Sequence, residues 1–87
     1  MIELTLYGRP GCHLCDDMRS ALEMLQPRHG FRVEEIDVDS VPELADRYGS
    51  LVPVLVCAGS EVCHYFLDTD ALEAALEQAR HRRQGFG

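Results

Sequence analysis

The chain has 87 residues, 46% of them hydrophobic, and a net charge of −7. Stable domains usually run ~50–200 residues, so a single domain spanning residues 1–87 is expected, with a modest core. The acidic balance excludes a nucleic-acid partner, which needs clustered positive charge, and no apolar run approaches the ~20 residues of a membrane span.

Residues 2–7, IELTLY, alternate Ile2, Leu4 and Leu6 with Glu3, Thr5 and Tyr7, the two-residue period of a strand. Gly8, Pro10 and Gly11 break it. From about His13 to Gln26, Leu14, Met18, Ala21, Leu22 and Leu25 recur at helical spacing, and a helix is predicted to stop before Pro27. A turn over Arg28–Gly30 leads into a second strand, residues 31–38. Its alternation slips at Glu34–Glu35, implying a bulge or a weakly buried edge.

Ser40 and Glu43 have the spacing of a capping box, with Pro42 in the first turn of a short helix that ends at Gly49. Strands are predicted over 53–57 and 61–66, joined as a hairpin by Ala58-Gly59-Ser60. Asp70 with Glu73 resembles another cap. Leu72, Ala75, Leu76 and Ala79 then mark an amphipathic helix to about Arg83, with residues 81–87 as a fraying tail. The order β-α-β-α-β-β-α predicts an α/β fold: a four-stranded mixed sheet flanked by helices.

Among the four cysteines, Cys12 and Cys15 stand two residues apart at the junction of the first strand and first helix. Unpaired N–H groups and the helix dipole gather there and favour a thiolate, so Cys12 should titrate below the ~8.5 of a free thiol. Cys15, one turn in, should be buried and keep a higher pKa. A nucleophile and a delayed resolving thiol are what disulfide exchange requires. Arg9, on the preceding loop, would add positive potential there, and reads either as a loop-solubility charge or as a substrate attractor. His13 would support the thiolate if protonated, whereas Asp16 and Asp17 oppose it.

Other readings compete. A zinc site would need Cys57 and Cys63 to complete a four-ligand set with the CxxC pair, but they fall in a predicted hairpin rather than in zinc-knuckle turns. They read instead as small hydrophobes, or as an accessory disulfide if they lie opposite one another. Glu34, Glu35, Asp37 and Asp39 read as a solvated edge. No metal is expected. With no basic region, apolar run and cleavage site at the start, a cytoplasmic location is expected.

Val52-Pro53 opens a strand with proline, which lacks a ladder donor. With CHLC on a strand–helix junction and LVPVL at the third strand, the chain resembles the glutaredoxins of the thioredoxin superfamily over residues 2 to about 80. It is more similar to a small bacterial glutaredoxin-like branch than to the common family pattern. That resemblance implies a thioredoxin-like fold and a disulfide reductase, with Cys12 as nucleophile, Cys15 as resolver and Pro53 in the cis form facing them. It also implies that Val52 pairs through its main chain with a peptide or glutathione, and that Arg9, His13, Leu14 and Asp70 join the substrate site. No cofactor would be bound. Glutathione would serve as co-substrate or a disulfide-bearing protein as partner, and the protein would be a monomer. The chain departs from the family pattern near Phe66-Leu67, where a Gly-Gly pair is usual. The alternatives in other classes are a non-catalytic adaptor with this fold and a metal-binding module.

Overall fold

A computed structural model describes residues 1–84. Strand β1 (Ile2–Gly8) leads into helix α1 (His13–His29) and strand β2 (Phe31–Asp37). A 3₁₀ turn (Val38–Ser40) precedes helix α2 (Pro42–Tyr48). Strands β3 (Val54–Cys57) and β4 (Ser60–His64) then lead to helix α3 (Thr69–Gln84). The sheet order is β2-β1-β3-β4. β1 runs parallel to β2, as a helical crossover requires, and antiparallel to β3, while β3 and β4 form the hairpin.

The alternation of β1 decides which face is buried. Ile2, Leu4 and Leu6 share a core with Met18 and Leu22 of α1 and with Leu72, Leu76 and Ala79 of α3. β3, inside the sheet, is buried on both faces and accordingly reads as an unbroken apolar run. β2 is an edge strand whose pairing with β1 continues unbroken from Ile2↔Phe31 to Gly8↔Asp37. The slip at Glu34–Glu35 is therefore an exposed edge and not a bulge. The irregularity lies instead in the β3–β4 ladder, between Leu55 and Val56.

Several predicted boundaries move, each for a local reason. α1 passes through Pro27 to His29. Proline so near the end forfeits one helical bond, and termination falls to Gly30, left-handed at φ 65°, whose N–H reaches the Gln26 carbonyl at 2.9 Å. Arg80 of α3 adds a bond to the carbonyl of His29 at 3.2 Å. The expected Ser40 cap does not form, because Ser40 is taken into the 3₁₀ turn and Val41 becomes the residue preceding α2, with no side-chain cap. In α3 the cap is Asp68 rather than Asp70: its carboxylate accepts the N–H of Ala71 at 3.0 Å.

The hairpin turn is tighter than expected. Cys57 pairs with Ser60, leaving Ala58 and Gly59 as a two-residue loop with φ of 52° and 82°. Positive φ at both positions matches the twist of the flanking strands. Of the expected fraying tail, residues 81–84 are helical and 85–87 lie outside the described residues.

Candidate functional site: the Cys12–Cys15 pair

Arg9-Pro10-Gly11-Cys12 forms the turn that delivers the first cysteine. The N–H of Cys12 meets the Arg9 carbonyl at 3.3 Å, and Gly11 takes φ 78°. Proline followed by a left-handed glycine is the sequence signature of a type II turn. Cys12, in extended conformation, is the N-cap of α1, and its Sγ accepts the N–H of Cys15 at 3.1 Å. The Cys12 carbonyl accepts the N–H of Asp16 at 3.1 Å.

Cys12 and Cys15 are joined as a disulfide with their Cα atoms 5.2 Å apart. Cys12 is half-buried, while Cys15 is 1% exposed. The two sulfurs are thus unequally accessible, and the outer one lies where the free N–H groups of the helix converge. A cavity of about 280 Å³ reaches Cys15 from the β2 side, lined also by Gly8, Arg9, Asp16, Arg19 and Asp37. Gly8 makes the close packing here: a Cβ at that position would stand 3.1 Å from the Cys15 Sγ.

Arg19 bonds Asp16 at 2.8 Å and Glu35 at 2.8 and 2.9 Å, so of the two carboxylates that would oppose a thiolate Asp16 is countered by a guanidinium, whereas Asp17 makes no ion pair among the described residues. Three of the five guanidinium N–H groups of Arg9 are engaged within the protein. It donates to both carboxylate oxygens of Asp39, at 2.9 and 3.1 Å, and to the Gly49 carbonyl at 3.0 Å. The Arg9 hydrogen bonds hold the Asp39 carboxyl below its ordinary value of 3.8, and Asp39 in turn raises the guanidinium. The acidic stretch is therefore not only a solvated edge, since Glu35 and Asp39 each fasten an arginine.

His13 is exposed in the first turn of α1, and Leu14 beside it is half-buried. The Val52–Pro53 peptide bond is cis. β1 and β3 pair Tyr7 with Val54, and continuing that register sets Pro53 opposite Gly8, which packs on Cys15. Among the described residues neither the N–H nor the carbonyl of half-buried Val52 meets a hydrogen-bond partner. Asp70 is exposed in the first turn of α3, and no hydrogen bond ties it to the cysteines or to Val52 among the described residues. Sequence reasoning missed Tyr65, whose N–H donates to the Pro53 carbonyl and whose hydroxyl donates to the Ser50 carbonyl, each at 2.9 Å.

Cys57 and Cys63 are free thiols. The ladder places Cys63 across from Leu55 and Cys57 across from Ser60, so the two are not opposed as an accessory disulfide would require. Burial pushes both thiols above their ordinary value. No group of three or more His, Cys, Asp or Glu side chains gathers around a metal position among the described residues, and no described helix is long and apolar enough to cross a membrane.

A mixed sheet ordered β2-β1-β3-β4, with a CxxC pair at the head of α1 and proline before β3, defines a protein of thioredoxin-like fold. Residues 3–77 match the family described as Glutaredoxin-like domain (DUF836), and the chain belongs to that family. It is 43% identical to the protein Ne2328 from Nitrosomonas europaea, whose solution structure superposes with a TM-score of 0.79, over 84% of this chain and 88% of that one. It is 39% identical to the X. campestris protein XcR50, with a TM-score of 0.62 over 86% and 96% of the two chains. The fold also matches thioredoxin 1 from Thermosipho africanus, at 16% identity and a TM-score of 0.59 over 91% and 99%. No curated protein matches the chain in sequence.

Proposed function

We propose that the protein is a thiol–disulfide oxidoreductase that reduces disulfides by exchange at Cys12 and Cys15. The observation that carries this reading is the unequal pair: an accessible sulfur capping a helix N-terminus, bonded to a buried one a turn further on. In the reduced protein the Cys12 thiolate attacks one sulfur of a substrate disulfide. A mixed disulfide forms, and the first substrate thiolate leaves. Cys15, losing its proton, then attacks the Cys12 sulfur, closes the intramolecular disulfide and releases the second substrate thiolate. Two electrons pass to the substrate, and an external dithiol or two molecules of glutathione restore the reduced pair.

The free N–H and carbonyl of Val52 suit a short strand-addition contact with the backbone flanking the substrate disulfide. Pro53 holds that edge beside the sulfurs. His13 and Leu14, between the two cysteines, face whatever docks there, and Asp70 on α3 is a further candidate contact. The partner class is a disulfide-bearing protein or glutathione, and the chemistry needs no bound cofactor.

The test is dithiol-dependent reduction of a small disulfide. Wild type should turn over, Cys12→Ser should lose all activity, and Cys15→Ser should stall as a mixed disulfide with its substrate. Unchanged turnover in Cys12→Ser would remove the mechanism. Absence of activity in wild type, with partner binding retained in the Cys12→Ser, Cys15→Ser double variant, would favour an adaptor.

A further inference from the structure

Tyr65, the residue after β4, adopts a conformation that its side chain disfavours. Its φ is 65°, in the left-handed region that glycine and, less often, asparagine occupy. A bulky aromatic persists there only when its surroundings over-determine it, and such outliers cluster where a site is being held in shape. Three contacts hold this one. The N–H donates to the Pro53 carbonyl at 2.9 Å, the hydroxyl donates to the Ser50 carbonyl at 2.9 Å, and the His64 ring stands edge-on with centroids 4.7 Å apart. The turn is closed on its far side by the N–H of Phe66 on the His64 carbonyl at 2.7 Å.

The two tyrosine bonds bracket one short segment. Between Ser50 and Pro53 lie only Leu51 and Val52. The N–H of Leu51 is already engaged by the Tyr48 carbonyl at 2.8 Å, whereas Val52 has both backbone groups free among the described residues. The tyrosine therefore reaches from its backbone to its hydroxyl along the length of the segment, gripping the Ser50 and Pro53 carbonyls on either side of Val52, whose N–H and carbonyl are both without a partner among the described residues. A glycine at this position would relieve the backbone but lose the grip on Ser50.

We propose that Tyr65 is a positioning residue for substrate recognition: it spans the Ser50–Pro53 segment and fixes the Val52 N–H and carbonyl for pairing with an extended peptide beside the disulfide. This rests on the oxidoreductase reading for its substrate, but the mechanical part stands on the geometry alone. Tyr65 acts on how substrate is held and not on the reactivity of the sulfurs.

Tyr65→Phe deletes the hydroxyl bond and keeps the ring and the backbone. One lost hydrogen bond of about 1 kcal/mol corresponds to about a five-fold change. The KM for a peptide disulfide should rise by about that factor, with kcat and the Cys12 titration unchanged. Amide exchange at Leu51 should quicken by a similar factor. Tyr65→Gly, which accommodates the positive φ, should raise KM at least as far while remaining folded. Wild-type KM and wild-type Leu51 exchange in Tyr65→Phe would overturn the proposal. So would a loss confined to thermal stability, or a shifted Cys12 titration. If wild type shows no turnover, the oxidoreductase reading fails by itself, and the Leu51 exchange rates still decide whether Tyr65 fixes the segment.

Discussion

The sulfur of Cys12 accepts the backbone N–H of Cys15 at 3.1 Å, so the outer half of the pair is also the cap of the helix that carries both. Serine at position 12 retains an acceptor for that N–H and alanine does not. Under reducing conditions, Cys12→Ser should unfold in urea within about 0.5 kcal/mol of wild type, whereas Cys12→Ala should lose about 1 kcal/mol. Equal stabilities for the two variants would show that the side chain at position 12 contributes nothing as a cap.

Gly8 sets how closely β1 approaches the buried sulfur. A methyl group there would stand 3.1 Å from the Cys15 Sγ and 3.4 Å from its Cβ. Gly8→Ala should therefore displace Cys15, destabilise the oxidised protein by about 1–2 kcal/mol and slow release of the mixed disulfide. Chemical denaturation and single-turnover kinetics measure the two effects. A variant with wild-type values in both would mean that the helix yields without cost.

The Arg9–Asp39 pair sets a sign for pH dependence. Arg9 depresses the Asp39 carboxyl below its ordinary 3.8, so the unfolded chain takes up that proton first as pH falls. The pair's contribution is then complete above about pH 4 and disappears as pH drops through the lower folded value. Arg9→Ala should melt below wild type at pH 7, and the gap should narrow in strong acid and in about 1 M salt. A gap unaffected by acid or salt would assign the role of Arg9 to its bond with the Gly49 carbonyl alone.

The hairpin turn contains an avoidable cost. Ala58 holds φ 52° ahead of Gly59 at 82°, a shape that favours asparagine followed by glycine. Ala58→Asn should raise stability by about 0.5–1 kcal/mol without touching activity. Thermal and urea unfolding of the full-length variant would show it, and a decrease would mean that the alanine methyl makes a contact worth more than the strain.

The order of elements and the location of the cysteine pair were legible because each rests on a local pattern. Ile2, Leu4 and Leu6 alternate, Met18 and Leu22 recur at helical spacing, and a proline-glycine turn precedes Cys12. Termini were less legible because competing signals lie within two or three residues of one another. Asp68 and Asp70 both suit a cap, and the N–H of Ala71 chose the first. Pro27 and Gly30 both suit a helix end, and the left-handed glycine prevailed. The wider site was hidden for a different reason. Arg9 meets Asp39 across 30 residues and Gly49 across 40, and no periodicity reports such a meeting. Tyr65 was invisible because nothing in a tyrosine announces a left-handed backbone.

Arg9 links the turn after β1, the turn after β2 and the exit of α2 through a single guanidinium. Three connections that would otherwise wander separately are thereby locked into one rim before anything arrives. An incoming chain would meet a preassembled ledge, with little loop entropy left to surrender on association. Loosening that one side chain should therefore weaken encounter with extended partners while leaving the intrinsic reactivity of the sulfurs intact.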